Sequence, residues 1–225
     1  MLILWWPNHQ PRPDVSIVMD EILKYFPELT PLQRQRFEQL GPLYREWNGR
    51  INVVSRKDVD NIYEHHILHS LAIAKFVTPA DGTTLLDMGT GGGLPGLPLA
   101  IMWPGCRFHL IDRIGKKIRV ATEIAATLGL DNVTFQHGDI GECRSRYDYV
   151  VSRAVMRLDE LVPLVRKNID RKSHLNRLPP GLIVLKGGDL ASEMAAVKLP
   201  MVEVPLTDWY AEPFFETKKL VYVEM

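Results

Sequence analysis

The stretch LLDMGTGGGLPGLPLA, residues 85–100, decides the fold. An apolar run ending in Asp87 passes into five glycines within eight residues, and then into a second apolar stretch. Strand, tight turn and helix in that order make the first βα unit of an open parallel sheet. Glycine there removes side chains where backbone must approach something closely. Read as Gly89-x-Gly91-x-Gly93, the turn suits a nucleoside-containing ligand. Read as Gly91, Gly93 and Gly96, it also satisfies the dinucleotide pattern. A plain strand-to-helix turn without ligand is the third reading.

The flanking residues tilt this choice. The next apolar segment, RFHLID, ends in Asp112, 21 residues after Gly91, where a carboxylate accepts hydrogen bonds from ribose hydroxyls. Asp87 precedes the glycines, and an acid suits a cationic ligand part better than a pyrophosphate. Pro95 removes one backbone N–H where a pyrophosphate would want donors. No Gly-Lys-Ser or Gly-Lys-Thr follows, which excludes a P-loop. S-adenosylmethionine meets these conditions, with a sulfonium, an amino-acid end, a ribose and no phosphate.

Working outward, short apolar runs alternate with amphipathic stretches from Thr83 onward. Strand candidates are TLLDM, RFHLID, NVTFQ, DYVVSR, GLIVLK and LVYVEM, with helices at about 95–103, 114–129, 155–168 and 189–197. This alternation predicts a parallel sheet covered on both faces. The segment VPLTDWYAEPFFETKKLVYVEM offers an antiparallel edge pair, with a hairpin-like turn in EPFFETKKL. Residues 1–80 read as helical. DVSIVMDEILKYFPEL places Val15, Val18, Met19, Ile22, Leu23 and Phe26 at helical spacing, TPLQRQRFEQLGPLYREWNGRIN opens with a Thr30 cap and Pro31, and DVDNIYEHHILHSLAIAKFV supplies a third helix. The expected organisation is an N-terminal helical extension, 1–80, on an α/β domain, 81–225.

Bulk properties bound the function. The 225 residues are 46% hydrophobic and 24% charged, with 27 basic and 27 acidic side chains and a net charge of zero. That is an ordinary globular composition, which excludes a wholly basic nucleic-acid coat while allowing a local basic face. Two cysteines, Cys106 and Cys143, make neither a disulfide framework nor a zinc cluster and point to a reduced compartment. The opening MLILWWPNHQPRP is too short to span a membrane and lacks the basic start of a signal peptide. A cytoplasmic protein is expected.

Two further segments carry candidate chemistry. NVTFQHGDI ends the third strand, so in a methyltransferase arrangement Asp139, Ile140 and Gly141 stand beside the adenine; the alternative is that Gly138-Asp139 is only a turn. YDYVVSRAV ends the fourth strand, making Ser152 and Arg153 candidate target-facing residues. An Arg at the end of a buried strand wants a polar partner. A salt bridge to Asp87 or Asp112 accounts for it as well as a ligand does, and both can hold at once.

The segments LLDMGTGGGLPGLPLAI, LIDRIGKK, HGDIGE, YDYVVSRAV and GLIVLKGG follow EWNGRINVVSRKDVDNIYEHHILHSLAI in order. Together they resemble the RsmG family, formerly glucose-inhibited division protein B, over most of the chain. The resemblance implies a class I methyltransferase fold: a seven-stranded, mostly parallel, Rossmann-like sheet with helices on both faces and an N-terminal helical layer. It implies S-adenosylmethionine as cofactor and methylation of N7 of one guanine in 16S ribosomal RNA. Gly89 and Leu94 match the family's cofactor contacts in the loop, Asp112 the acid after the second strand, and Ile140 and Gly141 the pair after the third. Arg153 matches the Arg of the Ser-Arg-Ala motif. With Asp87, Gly91 and Asp139 from the residue reading, these form the expected cofactor set, and Arg153 with Ser152 the expected catalytic pair, acting by positioning. Guanine N7 carries a lone pair and no proton, so no general base is required.

Two departures from the family stand out. Gly138-Asp139-Ile140-Gly141 replaces a common Gly-Arg-Ala-Glu, and His69 stands where many members carry Asp. Without an acidic or Cys partner at fitting spacing, His65, His66 and His69 read as polar helix surface near the cleft; no metal is expected. Arg113, Lys116, Lys117 and Arg119 after the second strand are candidate RNA contacts. So are Arg171 and Lys172 within RKNIDRKSHLNR, although either run is also an ordinary solvated face. The expected partner is 16S ribosomal RNA or the small-subunit particle, with no membrane and a monomeric enzyme. The alternative is a methyltransferase acting on another RNA, a protein or a small molecule. A nicotinamide dehydrogenase and a non-catalytic cofactor-binding module are the rival classes.

Overall fold

The strand segments form one sheet: β1 (Thr84–Met88), β2 (Arg107–Asp112), β3 (Val133–His137), β4 (Tyr149–Arg153), β5 (Gly181–Gly187), β6 (Met201–Pro205) and β7 (Lys218–Glu224). The computed structural model describes residues 15–55, 58–153 and 155–225; the opening MLILWWPNHQPRP therefore lies outside the described residues. Strand order is β3-β2-β1-β4-β5-β7-β6. The first five strands are parallel, and β7 runs antiparallel to both β5 and β6. The order reverses between β1 and β4, so the carboxyl ends of those two strands open a crevice.

Central strands are buried on both faces, which is why they read as continuous apolar runs. Helices α4 (Gly96–Met102) and α5 (Gly115–Thr127) follow β1 and β2, while α6 (Leu158–Val165) and α7 (Ala191–Ala196) flank β5. β3 differs. Only a 3₁₀ turn, Ile140–Glu142, stands between it and β4, and its residues are mostly half-exposed.

Two expectations need correction. The segment EPFFETKKL is not a hairpin turn: Pro213–Thr217 is a 3₁₀ helix that leads into β7. The expected antiparallel edge pair is present as β6 and β7, but β6 begins upstream of the expected segment, sharing only Val204 and Pro205 with it, and two 3₁₀ helices bridge the strands. Leu206 and Phe215 in these helices, and Tyr210 between them, are buried in the core, so burial rather than turn chemistry sets this connection.

The N-terminal helices are α1 (Val15–Tyr25), α2 (Pro31–Arg50) and α3 (His69–Phe76). α1 ends two residues before Pro27, which disfavours helical backbone ahead of it. Thr30 and Gln33 form a reciprocal capping box at the start of α2. Phe37, Leu40 and Tyr44, spaced along one face, are fully buried in the same core cluster as Leu97 and Ala121. Burying each such side chain contributes roughly 1.5–3 kcal/mol.

α2 also satisfies carbonyls that helices leave unpaired at their C-termini. Gln33 Nε2 donates to Ile101 O at 3.2 Å and to Met102 O at 2.9 Å, at the end of α4. Arg36 donates to Leu128 O at 3.0 Å and Gly129 O at 2.6 Å, just past α5. The expected third helix is composite: a 3₁₀ turn Val59–Asn61, a π-helix Ile62–Leu68, then α3.

Candidate active site

The cleft at the carboxyl ends of β1, β2 and β4 has a volume of about 580 Å³. Its floor is the glycine loop. Gly89, Gly91 and Gly93 all have positive φ, and a Cβ on Gly89 would lie 2.6 Å from Val155 Cγ2. Glycine is therefore required there twice over, by backbone conformation and by space. Gly89 N and Thr90 N both donate to Ile111 O, at 2.9 and 3.1 Å, which ties the loop to β2.

Asp112 organises the rim. One carboxylate oxygen accepts from Gly91 N and the other from Ile114 N, both at 2.8 Å. Each oxygen retains a lone pair for a further donor. Asp112, Gly89, Gly91, Leu94, Ile140, Asp139 and Arg153 all line the cleft, with Arg113 and Lys117 at the same rim.

Asp87 occupies a different place from the one expected. It is fully buried behind the loop and does not line the cleft. One oxygen accepts from Thr90 Oγ1 at 2.5 Å and from Gly96 N at 2.8 Å, while the other has no partner among the described residues. Burial pushes its carboxyl up to about 7, against the pull of those two hydrogen bonds and of Arg153. Because Gly96 opens α4, this carboxylate already holds the helix start that a dinucleotide fold offers to a pyrophosphate.

Ser152 also sits apart from the cleft. It is buried, and its Oγ donates to Met88 O at 2.8 Å, just beyond the last β1–β4 register pair. It fastens the strands where they begin to part. Asp139 caps the 3₁₀ turn, accepting from Gly141 N at 2.7 Å, and stands 3.8 Å from the exposed Arg113. Gly141 lies outside the cleft, with its carbonyl taken by Lys167 Nζ at 2.8 Å.

Arg153 is paired neither with Asp87 nor with Asp112. Its Nη1 donates to His66 Nδ1 at 3.1 Å and to His65 O at 3.3 Å. His66 Nε2 lies 2.6 Å from Asp58 Oδ2, and the other Asp58 oxygen pairs with His65 Nδ1. Asp58 is thus the acidic partner that spacing alone did not reveal, because the 3₁₀ turn and π-helix bring it back onto both histidines. Among the described residues, no group of three metal-ligating side chains stands ready for a metal.

His69 is not helix surface. It is buried against Phe214 and Phe215, its Nε2 has no partner among the described residues, and burial holds its pKa well below the usual imidazole range. Ser70 beside it is also buried.

The basic candidates divide between two places. Arg113 and Lys117 line the cleft, and Lys116 and Arg119 lie on the helix that begins beside it. Arg171 and Lys172 lie at the opposite end of the sheet. Their loop binds the strand starts, where Asp170 N donates to Tyr147 O at 2.8 Å and Ser173 Oγ donates to Asp148. Their side chains are remote from the cleft because the loop precedes β5 rather than following β4.

Several cleft-forming residues escaped sequence reading. Asn48 Oδ1 accepts from Val53 N and Val54 N at 2.8 and 3.0 Å, turning the chain after α2 so that Val53 lines the cleft. A Cβ on Gly92 would lie 2.0 Å from Val53 Cγ1. Lys186 and Glu193 form a buried ion pair; Lys186 Nζ donates to Met156 O at 2.9 Å, and Glu193 accepts from Leu158 N. That pair anchors the segment after β4 that brings Val155 and Met156 to the cleft. A polar pair within GLIVLKGG and the next helix was the available signal.

Residues 33–198 match the family model described as rRNA small subunit methyltransferase G. A relative from Bacteroides thetaiotaomicron, named Ribosomal RNA small subunit methyltransferase G, is 53% identical over 207 residues, covering 92% of this chain and 100% of its own. One of the same name from Porphyromonas gingivalis is 50% identical over 204 residues, covering 91% and 92%. Among solved structures, a ribosomal protein L11 methylase from Lactobacillus delbrueckii subsp. bulgaricus superposes with a TM-score of 0.50 at 17% identity, over 70% of this chain and 78% of that one. A chain of a fibrillarin/Nop5p complex gives 0.51 at 10% identity, over 68% and 78%. The structural likenesses establish the fold. Among the described residues, no helix is long and apolar enough to cross a membrane.

Proposed function

We propose, from the premise that the chain belongs to the rRNA small subunit methyltransferase G family, that it transfers a methyl group from S-adenosylmethionine to N7 of a guanine in 16S ribosomal RNA. The observation that carries this reading is the extent of the family match. Residues 33–198 include every residue that lines the cleft, from Val53 to Leu164.

The cleft residues fit that cofactor. Asp112 presents lone pairs for ribose hydroxyls, Ile111, Ile114 and Ile140 supply an apolar wall, and the positive-φ glycines leave backbone exposed to close approach. Asp87, buried behind the loop, supports this floor by holding Thr90 Oγ1 and Gly96 N rather than by touching a ligand. Because Asp87 occupies the start of α4, the site lacks the free helix terminus that a pyrophosphate uses. When bound, the cofactor supplies an electrophilic methyl group on a sulfonium.

The protein's own residues then act by positioning. N7 needs no deprotonation, so alignment of acceptor and methyl carries the catalysis, worth roughly 7–11 kcal/mol in favourable cases. Arg153, at the cleft end of β4, is the cation placed to hold a carboxylate, a phosphate or a guanine oxygen. Arg113 and Lys117 supply phosphate contacts at the rim, with Lys116 and Arg119 beside them on α5. Arg171 and Lys172 are remote from this rim and belong to a separate contact if they touch RNA. A cytoplasmic monomer acting on 16S ribosomal RNA or the small-subunit particle completes the reading.

The test is labelled methyl transfer to small-subunit particles from cells lacking the enzyme, followed by nucleoside analysis. Label in 7-methylguanosine is expected; label only in another nucleoside, or in protein, overturns the assignment.

A further inference from the structure

We propose that Asp58 and His66 are positioning residues that set the orientation of Arg153 toward the cleft. The inference rests on the reading that Arg153 contacts the cofactor or the RNA.

The geometry fixes the direction of each hydrogen bond. Arg153 is a donor only, so the 3.1 Å contact from its Nη1 requires a lone pair on His66 Nδ1. The proton of His66 must then be on Nε2, which lies 2.6 Å from Asp58 Oδ2. Asp58 thereby selects the tautomer that accepts from Arg153. A carboxylate that sets an imidazole's tautomer, so that its other nitrogen performs a task, is a device used in hydrolase triads. Here the recipient is a guanidinium.

The neighbouring contacts hold this chain in place. The second oxygen of Asp58 pairs with His65 Nδ1, and the His65 ring stacks on Phe214 at 3.8 Å between centroids. His65 O takes the second hydrogen of Arg153 Nη1 at 3.3 Å. Three N–H groups of the guanidinium, on Nη2 and Nε, have no partner among the described residues. Both histidines lie on the π-helix Ile62–Leu68, an arrangement that is rare and concentrated at functional sites. Neither Asp58 nor His66 lines the cleft, so any effect on chemistry passes through Arg153.

Electrostatics agree with this protonation pattern. Burial, then the charge of Arg153, pushes the His66 imidazole down to about 4 despite Asp58. Burial alone would raise the Asp58 carboxyl, but its bonds to His65 and His66 outweigh that and hold it below the usual range. The three groups therefore read anion, neutral ring, cation.

The experiment uses the full chain. Long-range ¹H–¹⁵N spectra of the wild-type imidazoles should show His66 as the Nε2–H tautomer at neutral pH, without any substrate. A protonated Nδ1 overturns the proposal, and so does an Asp58→Asn spectrum that leaves the tautomer ratio unchanged. His66→Asn keeps an acceptor near the Nδ1 position and should retain methyl-transfer kcat within about threefold, whereas His66→Gln should lower it about ten- to hundredfold. The double variant His66→Gln, Arg153→Gln should lose no more than Arg153→Gln alone; independent, multiplying losses overturn the proposal. A wild-type chain with the expected tautomer and no transfer to small-subunit particles defeats the functional reading while leaving the hydrogen-bond chain intact.

Discussion

The hydroxyl of Tyr44 donates to the carbonyl of Gly92 at 3.0 Å, from a ring that is fully buried. Helix α2 therefore supports the glycine loop from beneath. Tyr44→Phe leaves that buried carbonyl unpaired at a cost of about 1–3 kcal/mol. Chemical denaturation should show the loss as a lower midpoint with unchanged slope. The affinity for S-adenosylhomocysteine should fall with it, because the same carbonyl fixes the loop.

Two glycine replacements should have opposite effects. Gly89→Ala forces a residue with φ of 71° into the left-handed region, at about 1–2 kcal/mol. It also drives Cβ against Val155. Cofactor affinity should drop tenfold or more. At Gly49 in α2 a Cβ would meet nothing within 4 Å, so Gly49→Ala should stabilise by up to about 1 kcal/mol and leave binding unchanged. Equal effects at the two sites, by calorimetry and thermal melts, would contradict this assignment of the loop.

Asp87 predicts a pH dependence. Its carboxyl titrates near 7 when folded and near 3.8 in a free chain. Below about 4 both states are protonated. Between about 4 and 7 the folded state keeps a proton that the unfolded chain has released, so this group's contribution to stability falls as pH rises. Asp87→Asn keeps an acceptor for Thr90 and Gly96 without the charge. Relative to the wild type, its Tm should therefore rise steadily from pH 4.5 to 7.5. Parallel Tm curves would refute the buried-charge account.

The Lys186–Glu193 pair should be intolerant of single replacement. Lys186→Met leaves Glu193 buried and uncompensated, at roughly 3–5 kcal/mol. Pairing it with Glu193→Met should recover part of that loss. A double variant as unstable as the sum of the two single ones, by urea unfolding, would show that the two side chains are not coupled.

Much of this molecule was legible in its sequence because its signals are local. The glycine loop, the Thr30–Gln33 box and the apolar strands each declare themselves within a few residues, and they settle the order of elements. What stayed hidden depends on contacts between distant segments. Asp87 reads as a ligand-facing acid, yet it turns inward, where Gly96 N and Thr90 Oγ1 donate to its carboxylate. Arg153 reads as a partner for Asp87 or Asp112, but the π-helix delivers His66 first. Arg171 and Lys172 read as candidate RNA contacts, and only the path of the chain before β5 places them at the far end of the sheet from the cleft. Local pattern identifies an element; which side chains then meet depends on the winding between them.

Strand β7 lies between β5 and β6, and β5 in turn braces β4, which carries Arg153. The side of β5 away from β4 is filled by β7, which emerges during synthesis after every residue that lines the cleft. Until then β5 presents an open row of backbone donors and acceptors flanked by apolar side chains, a template for unwanted strand pairing. A premature stop ahead of Lys218 would therefore yield an aggregation-prone fragment, although every residue lining the cleft would already have been translated.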